Sequence, residues 1–453
     1  MPFQNEKAGI AALTRILDSA KVKAVQSRFK RAPASDIEES ACPVVAKNQE
    51  AKTVPQIILA IDGGYHATPV ESGYPGAEIG YLTAASVLFF IDKLKQSNED
   101  GIVNPVKYRE ASETGSIDFA LPGRGVLIDE EPSAKSSMRK TLFEEMSGYR
   151  IFEDFNETLL ETYEYLMSIQ DPSEDPPKCP CDPTHRYRAD KGHYRCDTCH
   201  NILYSTDGMR CHELFSDTES CEKMYGHVMT TLERLLFIHI LRAFEQFEQQ
   251  GESWLKLIGN MAFVIDGPLA IYGPPAWLSQ SILKELIRFN QKQKCITNRD
   301  MMILGIEKSG SFTRHFKMID TDKNGNPGKF PIGHYQLIDN NYIRHRIHPS
   351  EGNRLYGRNT YFGRKMFYKT MSGNRLVVNC ACYDDKQFNI RTAEPCQYAR
   401  LNDMLGLLDE VSSSMDPNSI SPLIAAHSEA SIPLNLGRQI LDKIAQERIQ
   451  YAK

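Results

Sequence analysis

Three short apolar runs, at residues 56–61, 261–265 and 301–306, constrain the fold of this chain more than any other feature. None of them alternates apolar and polar residues, as a strand with one solvated face does. Such runs are typical of strands that are covered on both faces. Segments with helical spacing, including residues 225–250, lie between the runs. The sequence therefore predicts an α/β protein with a mixed central sheet flanked by helices.

The chain divides into four segments. Residues 1–55 hold a helical stretch and a linker, and residues 56–170 form the first part of the core. Residues 171–222 begin with a breaker cluster and are rich in cysteine, which predicts an insertion between two helices. Residues 223–453 complete the core. The patterns further predict helices at 8–30, 137–170, 276–292, 422–430 and 434–450, a strand within 79–94, and several strands between 331 and 383.

Charge and hydropathy exclude some classes of protein. The chain has 53 basic and 58 acidic residues, a net charge of -5, so its overall charge does not indicate a nucleic-acid binder, although local patches can still exist. No apolar run approaches the ~20 residues that span a bilayer, and no secretory signal is recognisable at the N-terminus. We therefore expect a cytoplasmic protein without a membrane partner.

Acidic residues follow each of the three apolar runs. Asp62 and Asp266 each precede a glycine, and Glu307 with Lys308 follows the third run. Asp-Gly is also an ordinary turn signal, so a structural role remains open. If the carboxylates converge at the strand ends, they form an oxygen site suited to Mg²⁺ or Mn²⁺. Such a site performs phosphoryl chemistry, and Lys308 would stabilise the attacked phosphate.

A local basic segment contrasts with the acidic whole. Between Arg344 and Arg375 eight basic residues face a single acidic one, and five aromatic residues are interspersed. The segment is either a DNA-binding surface or a sheet with a solvated basic face and buried aromatics. The candidate DNA-binding residues are Arg344, Arg346, Arg354, Arg358, Arg364 and Lys365.

The cysteines indicate a metal site in a reducing compartment. Cys179 and Cys181 are followed, after an interval, by Cys196 and Cys199, and two such pairs can hold a structural Zn²⁺ tetrahedrally. The insertion is therefore expected to be a small zinc-ribbon-like unit. The alternative ligands are His200, Cys211, His212 and Cys221, and free thiols are the alternative to a metal site.

Several motifs together resemble the NurA nuclease family. They are Ile61-Asp62-Gly63-Gly64, the stretch from Pro75 to Val87, the stretch from Phe263 to Leu269, the stretch from Leu304 to Ser309, and the stretch from Pro422 to Ile432. Their order extends over residues 56–450.

The resemblance implies an RNase H-like core and a Mn²⁺-dependent DNA nuclease, exonuclease (5′ to 3′) or endonuclease. It also implies a homodimer that acts with a hexameric HerA-type ATPase in end resection, repair or defence against phage. The family's acidic strand residues correspond to Asp62 and Asp266, and its C-terminal histidine to His427. A helical glutamate of the family is assigned to Glu233, with Glu245 and Glu144 as alternatives.

His427 has a second interpretation, because a histidine among alanines in a helix is commonly structural. Two other classes of function also remain open. One is a non-catalytic adaptor that binds DNA or an ATPase, and the other is an RNase H-like hydrolase that acts on RNA. The resemblance to the NurA family also implies an aromatic residue shortly before His427, and none is evident in residues 412–421.

Overall fold

The computed structural model describes residues 10–29, 42–47, 51–71, 76–92, 112–170, 178–180, 190–249, 253–349, 355–412, 418–431 and 441–443. These residues form a nine-stranded sheet in the order β1-β9-β10-β11-β8-β7-β2-β3-β4 and a two-stranded sheet, β5-β6. The strands are β1 (Val44–Ala46), β2 (Ile57–Glu71), β3 (Ala77–Phe90), β4 (Ser112–Pro122), β5 (His193–Arg195), β6 (Ile202–Tyr204), β7 (Met261–Asp266), β8 (Met302–Glu307), β9 (His334–Leu337), β10 (Gly363–Lys369) and β11 (Arg375–Ala381).

The large sheet is mixed. Strand β7 pairs in parallel with β2 on one side and with β8 on the other, whereas the remaining neighbours are antiparallel. The prediction of a mixed α/β sheet flanked by helices is therefore confirmed. Strands β7 and β8 are buried almost throughout, which explains why their sequences do not alternate.

Helices cover the sheet. Their bounds are Ile10–Asp18, Ala20–Gln26, Ala134–Gly148, Leu159–Ser168, Glu222–Gln249, Trp254–Ile258, Leu278–Thr297, Ser311–Asp320, Asn340–Arg346, Asp385–Phe388, Leu401–Val411 and Ser421–Ala430. Short 3-10 turns occur at Ser205–Met209, Cys211–Leu214, Pro274–Trp277 and Pro395–Gln397. Two of the helices pack against β2. We call Glu222–Gln249 the long helix and Ser421–Ala430 the histidine helix.

The long helix lies between the sheet and an outer helical layer. Leu235, Leu236, Phe237 and Ile238 are all fully buried, although consecutive residues point in different directions around a helix. A helix that is apolar all round must be covered on all sides. Burial of one such side chain contributes about 1.5–3 kcal/mol, so this segment anchors the helix firmly against β2 and β3.

The cysteine-rich segment is tied to the core by buried polar contacts. The Arg139 guanidinium donates to both carboxylate oxygens of Asp207, at 2.7 and 2.6 Å. The indole N–H of Trp277 donates to the Gly208 carbonyl at 2.8 Å, and the Tyr163 hydroxyl donates to the Ser205 carbonyl at 3.0 Å. These bonds fix residues 205–208 against the helical layer.

Several elements differ from the sequence predictions. Strand β2 does not stop at Asp62 but continues to Glu71, and strand β4 lies where no strand was predicted. The predicted helix at 137–170 is two helices, because residues 149–158 interrupt it. Of the predicted helix at 434–450, only residues 441–443 are described, and these are helical. In the described parts of the chain, no helix combines the length and apolar character that crossing a membrane requires.

Candidate active site

Asp62 lies within strand β2, and two glycines follow it. A Cβ atom at Gly63 would lie 2.7 Å from Oε1 of Glu233, on the long helix, and 2.6 Å from the sulfur of Met229. A Cβ atom at Gly64 would lie 2.7 Å from the carbonyl oxygen of Ala430, at the end of the histidine helix. The two glycines therefore let one helix approach each face of the strand beside Asp62. The sequence suggested a turn here, but the pair permits close packing instead.

The register of the sheet places Asp62 and Asp266 side by side. Ile61 is the partner of Ile265 in the parallel pair of β2 and β7, and each aspartate is the next residue of its strand. Asp266 in turn pairs with Ile306 on β8, immediately before Glu307 and Lys308. Two parallel pairings thus bring together chemistry from residues about two hundred positions apart in sequence.

Lys308 bridges the two aspartates. Its Nζ lies 2.8 Å from Oδ1 of Asp266 and 3.4 Å from Oδ2 of Asp62. Burial opposes the charged form of Lys308, but the two carboxylates outweigh it and raise the pKa of the ammonium group. Lys308 therefore remains a cation at the centre of the site.

Glu233 comes from the long helix and faces the same two aspartates. It is buried, and burial together with the charges of Asp62 and Asp266 raises its pKa to about 8, although Arg234 acts in the opposite direction. Burial and the charge of Asp62 likewise raise the pKa of Asp266. Three carboxylates thus share one small volume. Bringing like charges together in this way requires a compensating cation.

Arg234 supplies part of that compensation, and the sequence analysis did not identify it. Its guanidinium forms an ion pair with Glu233 and donates from Nη2 to the carbonyl oxygens of Asp266 and Pro268, each at 3.0 Å. Arg234 therefore connects the long helix to the end of β7. The available signal was a Glu-Arg pair within an otherwise apolar helical segment.

The structure brings neither alternative glutamate to this place. Glu245 is paired with Arg288 and Lys292 on the outer helical layer. Glu144 is exposed and lies 4.0 Å from Lys140. Asp62 and Asp266 both contribute to the raised pKa of Glu233, which is therefore the candidate that lies beside them.

His427 reaches Asp62 from the opposite side. Its Nδ1 lies 3.0 Å from Oδ2 of Asp62, and this hydrogen bond raises the pKa of the imidazole. Much of the ring is exposed, so it can still meet a ligand from solvent. Asp62, Glu233, Asp266, Lys308 and His427, the five predicted catalytic residues, therefore lie in one cluster, which we call the acidic cluster.

The donor atoms of the acidic cluster fit a hard divalent cation. The three carboxylates offer only oxygen, which Mg²⁺ and Mn²⁺ prefer. Burial and then the neighbouring carboxylates raise the pKa values of Glu233 and Asp266. The carboxylate oxygens of the acidic cluster do not all lie within 4.8 Å of one another. A second group of side chains, among the described residues, does meet that spacing.

That group consists of Cys179, Cys196 and Cys199. The sulfur atoms of Cys179 and Cys199 are 3.6 Å apart, and a hydrogen bond from the Asn201 backbone is the first cause that lowers the pKa of Cys199 to about 7. A lowered pKa favours the thiolate, the form that binds metal. Cys181 lies outside the described residues.

The alternative zinc ligands lie elsewhere. The thiol of Cys211 is buried and contacts the Met209 carbonyl, and Cys221 donates to the Ser216 carbonyl. The Nε2 atom of His212 bonds the Lys178 carbonyl at 3.1 Å. None of these residues, nor His200, belongs to the close cysteine group.

Most of the basic segment serves the interior. Arg364 is buried and donates to the carbonyl oxygens of Gln387, Asn389 and Thr392, and Lys365 is buried in an ion pair with Glu307. Both charges are used inside the fold, so Arg364 and Lys365 are not candidates for contact with DNA.

The other candidates in this segment differ in exposure. Arg344 is buried, whereas Arg346 and Arg358 are exposed, and Arg354 lies outside the described residues. The aromatic residues of the segment are mostly core, as Phe362, Phe367 and Tyr368 are fully buried. The structural interpretation of the segment therefore accounts for most of its members.

Comparison with known proteins finds matches among solved structures, and two of them are NurA structures. The NurA nuclease from Sulfolobus solfataricus is 11% identical, with a TM-score of 0.34 and 98% of each chain covered. A second NurA structure is 11% identical, with a TM-score of 0.29 and the same coverage. No family model and no curated protein matches the chain. The chain is thus similar to NurA structures, as its motifs indicated.

Proposed function

We propose that this protein is a divalent-metal-dependent DNA nuclease with an RNase H-like core. The observation that carries the proposal is the acidic cluster, in which Asp62 and Asp266 stand on adjacent parallel strands and Glu233 faces both. The three carboxylates converge with Lys308, Arg234 and the partly exposed His427. The pKa values of Glu233 and Asp266 are raised, and such perturbed carboxyl groups cluster at functional sites.

Asp62, Glu233 and Asp266 would hold the cation, Mn²⁺ or Mg²⁺. When bound, such an ion polarises a phosphate and lowers the pKa of a water molecule for in-line attack. Glu233 must lose a proton to bind the ion, and Arg234 favours that ionised form. Lys308 already contacts two of the carboxylates, so its ammonium group is positioned to neutralise charge on the phosphate.

His427 would assist at the leaving oxygen. Its hydrogen bond to Asp62 fixes the ring by Nδ1, which leaves Nε2 for the substrate. Because Asp62 raises the pKa of the imidazole, the ring carries a proton nearer to neutral pH than a solvated histidine does. A histidine of this kind can act as a general acid.

The remaining parts of the proposal concern binding. Arg346 and Arg358 are exposed and would contact the DNA backbone, with Arg344 as a neighbour and Arg354 as a further candidate from the sequence. Cys179, Cys196 and Cys199 would hold a structural Zn²⁺, with Cys181 as the fourth ligand. Homodimer formation and action with a HerA-type ATPase in end resection, repair or defence are proposed on the motif resemblance alone.

The test uses the full chain with labelled single-stranded and duplex DNA in the presence of Mn²⁺, Mg²⁺ or no metal. We expect metal-dependent cleavage that Asp62→Asn and Asp266→Asn each reduce by about a hundredfold or more, because each change removes a charged ligand of the cation that would polarise the phosphate. Asp118→Asn, which changes an exposed aspartate on β4, is the matched control and should cleave normally.

Other outcomes would support a different function. Tight binding of DNA without cleavage under any ion would indicate an adaptor. Preferential cleavage of a matched RNA would indicate a ribonuclease. Cleavage that persists in both aspartate variants would show that the acidic cluster is not the active site.

A further inference from the structure

A cleft of about 280 Å³ lies beside the acidic cluster. It is open to solvent, and its walls include Tyr65, Thr230 and Tyr272. Lys223 lies at its edge and is exposed. The volume is close to the lower end of pockets that bind small molecules, which begins near ~300 Å³.

The cleft is adjacent to the residues proposed to bind metal. Tyr65 follows Asp62 by three positions on β2, a separation of about 10 Å along a strand. This odd spacing puts its ring on the face that Gly63 turns toward Glu233 and the long helix, whereas Asp62 faces His427, so the cleft adjoins the cluster on the side of Glu233. Thr230 precedes Glu233 by three positions on the long helix, or about 5 Å. Tyr272 follows Asp266 in the segment after β7. A nucleotide next to one whose phosphate lies in the acidic cluster can therefore reach the cleft.

Two tyrosine rings border the cleft and are partly exposed. Tyr65 and Tyr272 keep 37% and 40% of their surface accessible. Among the tyrosines that the structure describes such exposure is unusual, because Tyr163, Tyr225 and Tyr368 among others are fully buried. Two partly exposed rings that line one cleft form an apolar patch of the kind that marks a ligand-binding surface.

Both rings are held in place by the fold. The Tyr65 ring lies over Gly226 of the long helix, where a Cβ atom would be 3.4 Å from Cε1 of the ring. The hydroxyl group of Tyr272 is 2.5 Å from that of Tyr361, and the carbonyl of Tyr272 accepts a hydrogen bond from Nδ1 of His227 at 3.1 Å. Rings that are fixed before binding lose little entropy when a ligand stacks on them.

The charges at the cleft suit a neutral flat group with a phosphate nearby. Burial and then Glu222 raise the pKa of Tyr65, so its phenol remains neutral. Glu222 and Lys223 line the edge side by side and are both exposed, and the ammonium group of Lys223 can pair with a phosphate oxygen. The interior offers the hydroxyl group of Thr230, the imidazole of His227 and apolar surface from Ile271.

We propose that the cleft binds one unpaired nucleobase of the DNA strand that is cut, stacked against Tyr65 and Tyr272 beside the scissile phosphate. The inference rests on the proposed nuclease function and adds a substrate subsite to it. A base in the cleft cannot remain in a duplex stack, so the enzyme would prefer a frayed end or a single strand.

The test combines tyrosine variants with a modified substrate. Single-stranded oligonucleotides carry an abasic site at each position around the mapped cleavage point, and KM and kcat are measured with Mn²⁺. For the wild type, one abasic position should raise KM by about tenfold, the scale of one base–aromatic stack. Tyr65→Ala and Tyr272→Ala should raise KM similarly on the normal substrate and should lose sensitivity to that abasic site.

Conservative and distant variants complete the design. Tyr65→Phe and Tyr272→Phe keep the aromatic rings, so each variant should have the same KM as the wild type. Phe152→Ala removes an aromatic ring that is also 40% exposed but lies against Phe247, about 20 Å along the long helix from Glu233, and it should behave as wild type. Thermal melting of each variant identifies any change that comes from unfolding.

Two outcomes would overturn the inference and leave the nuclease proposal intact. One is cleavage that is indifferent to every abasic position, and the other is unchanged KM in both alanine variants. If no metal ion supports cleavage, the nuclease proposal fails, and binding of normal and abasic oligonucleotides measured by fluorescence anisotropy still tests the cleft. Equal affinity for the two then excludes a base-binding subsite.

Discussion

Gly63 determines how closely Glu233 can approach Asp62. Any side chain at this position would meet the Glu233 carboxylate and Met229, because the long helix lies directly against the strand there. Gly64 has the same role toward the histidine helix. Two adjacent glycines thus set the separation between three of the proposed catalytic residues, although neither has a side chain of its own.

We predict that Gly63→Ala lowers the rate of DNA cleavage by about ten- to a hundredfold, since a small displacement of catalytic groups has effects of this size. Initial rates with Mn²⁺ measure the change. Gly148→Ala is the matched control, because a Cβ atom at Gly148 would have no neighbour within 4 Å. Equal rates for the two variants would mean that Glu233 does not need its present position.

Arg234 gives a second prediction for a single residue. Arg234→Lys keeps the charge but cannot bind Glu233 and two carbonyl oxygens at once, because a lysine lacks the planar fork of a guanidinium. We expect the variant to need about ten to a hundred times more Mn²⁺ for half-maximal cleavage, the range reported for supports of metal ligands.

The Mn²⁺ titration distinguishes this role from a purely structural one. Arg288→Lys alters a half-exposed arginine that also binds two glutamates, and its Mn²⁺ requirement should not change. A variant of Arg234 that melts at a lower temperature but titrates normally with Mn²⁺ would assign the residue to folding alone.

At the scale of elements, the sequence indicated the strands better than their ends. The apolar runs correctly predicted β7 and β8. In the structure, the register of β7 with β2 places Asp266 next to Asp62. The same reasoning ended the first run at Asp62, because Asp-Gly-Gly is a turn signal within any short window. In the structure β2 continues because it stays paired with β3 as far as Glu71, and the two helices pack closely at Gly63 and Gly64. Such contacts between distant segments cannot be inferred from local sequence.

For a related reason, the sequence did not indicate which charges of the basic segment are used in the interior. Composition showed many positive charges in a short stretch, but composition does not state which acids lie nearby. Lys365 faces Glu307, and Lys369 faces Asp320, which also lies 3.3 Å from Arg375. These acids come from other strands and helices, so the charge balance exists only in the folded chain.

The long helix carries a buried histidine that predicts how stability depends on pH. Nε2 of His239 accepts the Ile151 backbone N–H at 3.3 Å, so Nδ1 carries the proton and donates to Thr162 at 2.6 Å. Burial is the first cause that lowers the pKa of His239 to about 3, followed by the charges of Arg242 and Arg150. The imidazole therefore stays neutral in the folded protein.

In the unfolded chain the imidazole of His239 is solvated, and it then takes up a proton near pH ~6.5. Above that pH neither state is protonated and His239 adds no pH dependence. Below it the unfolded state gains a proton that the folded state does not bind until pH falls to about 3. The free energy of unfolding should therefore fall by up to about 1.4 kcal/mol per pH unit through this residue.

Urea denaturation between pH 7 and 4.5 measures that slope. His239→Gln should be less stable at pH 7, where its hydrogen bonds are weakened, but should lose stability less steeply as the solution is acidified. His193→Gln removes an exposed imidazole instead and serves as the control. Parallel curves for wild type and His239→Gln would contradict the assignment.

For the whole molecule, the two proposed metal sites differ in chemistry. The acidic cluster offers oxygen and partly exposed access, whereas the cysteine group offers sulfur, with Cys179 and Cys196 buried. By this chemistry, hard Mn²⁺ or Mg²⁺ would suit the first proposed site and Zn²⁺ the second. The sites are also connected differently to the fold, since the cysteine segment reaches the core through contacts such as Arg139 with Asp207 rather than through the large sheet.

We therefore predict that the two metals can be removed independently. A brief treatment with EDTA should abolish cleavage and added Mn²⁺ should restore it, while elemental analysis still finds about one zinc per chain.

Cys196→Ser should lose that zinc and lower the melting temperature by at least about 5 °C, because a structural site contributes directly to folding. Its folded fraction should still cleave DNA with Mn²⁺ at low temperature. Cys295→Ser, at an exposed cysteine outside the group, should keep both the zinc and the melting temperature, and a zinc content that is unchanged in Cys196→Ser would refute the site.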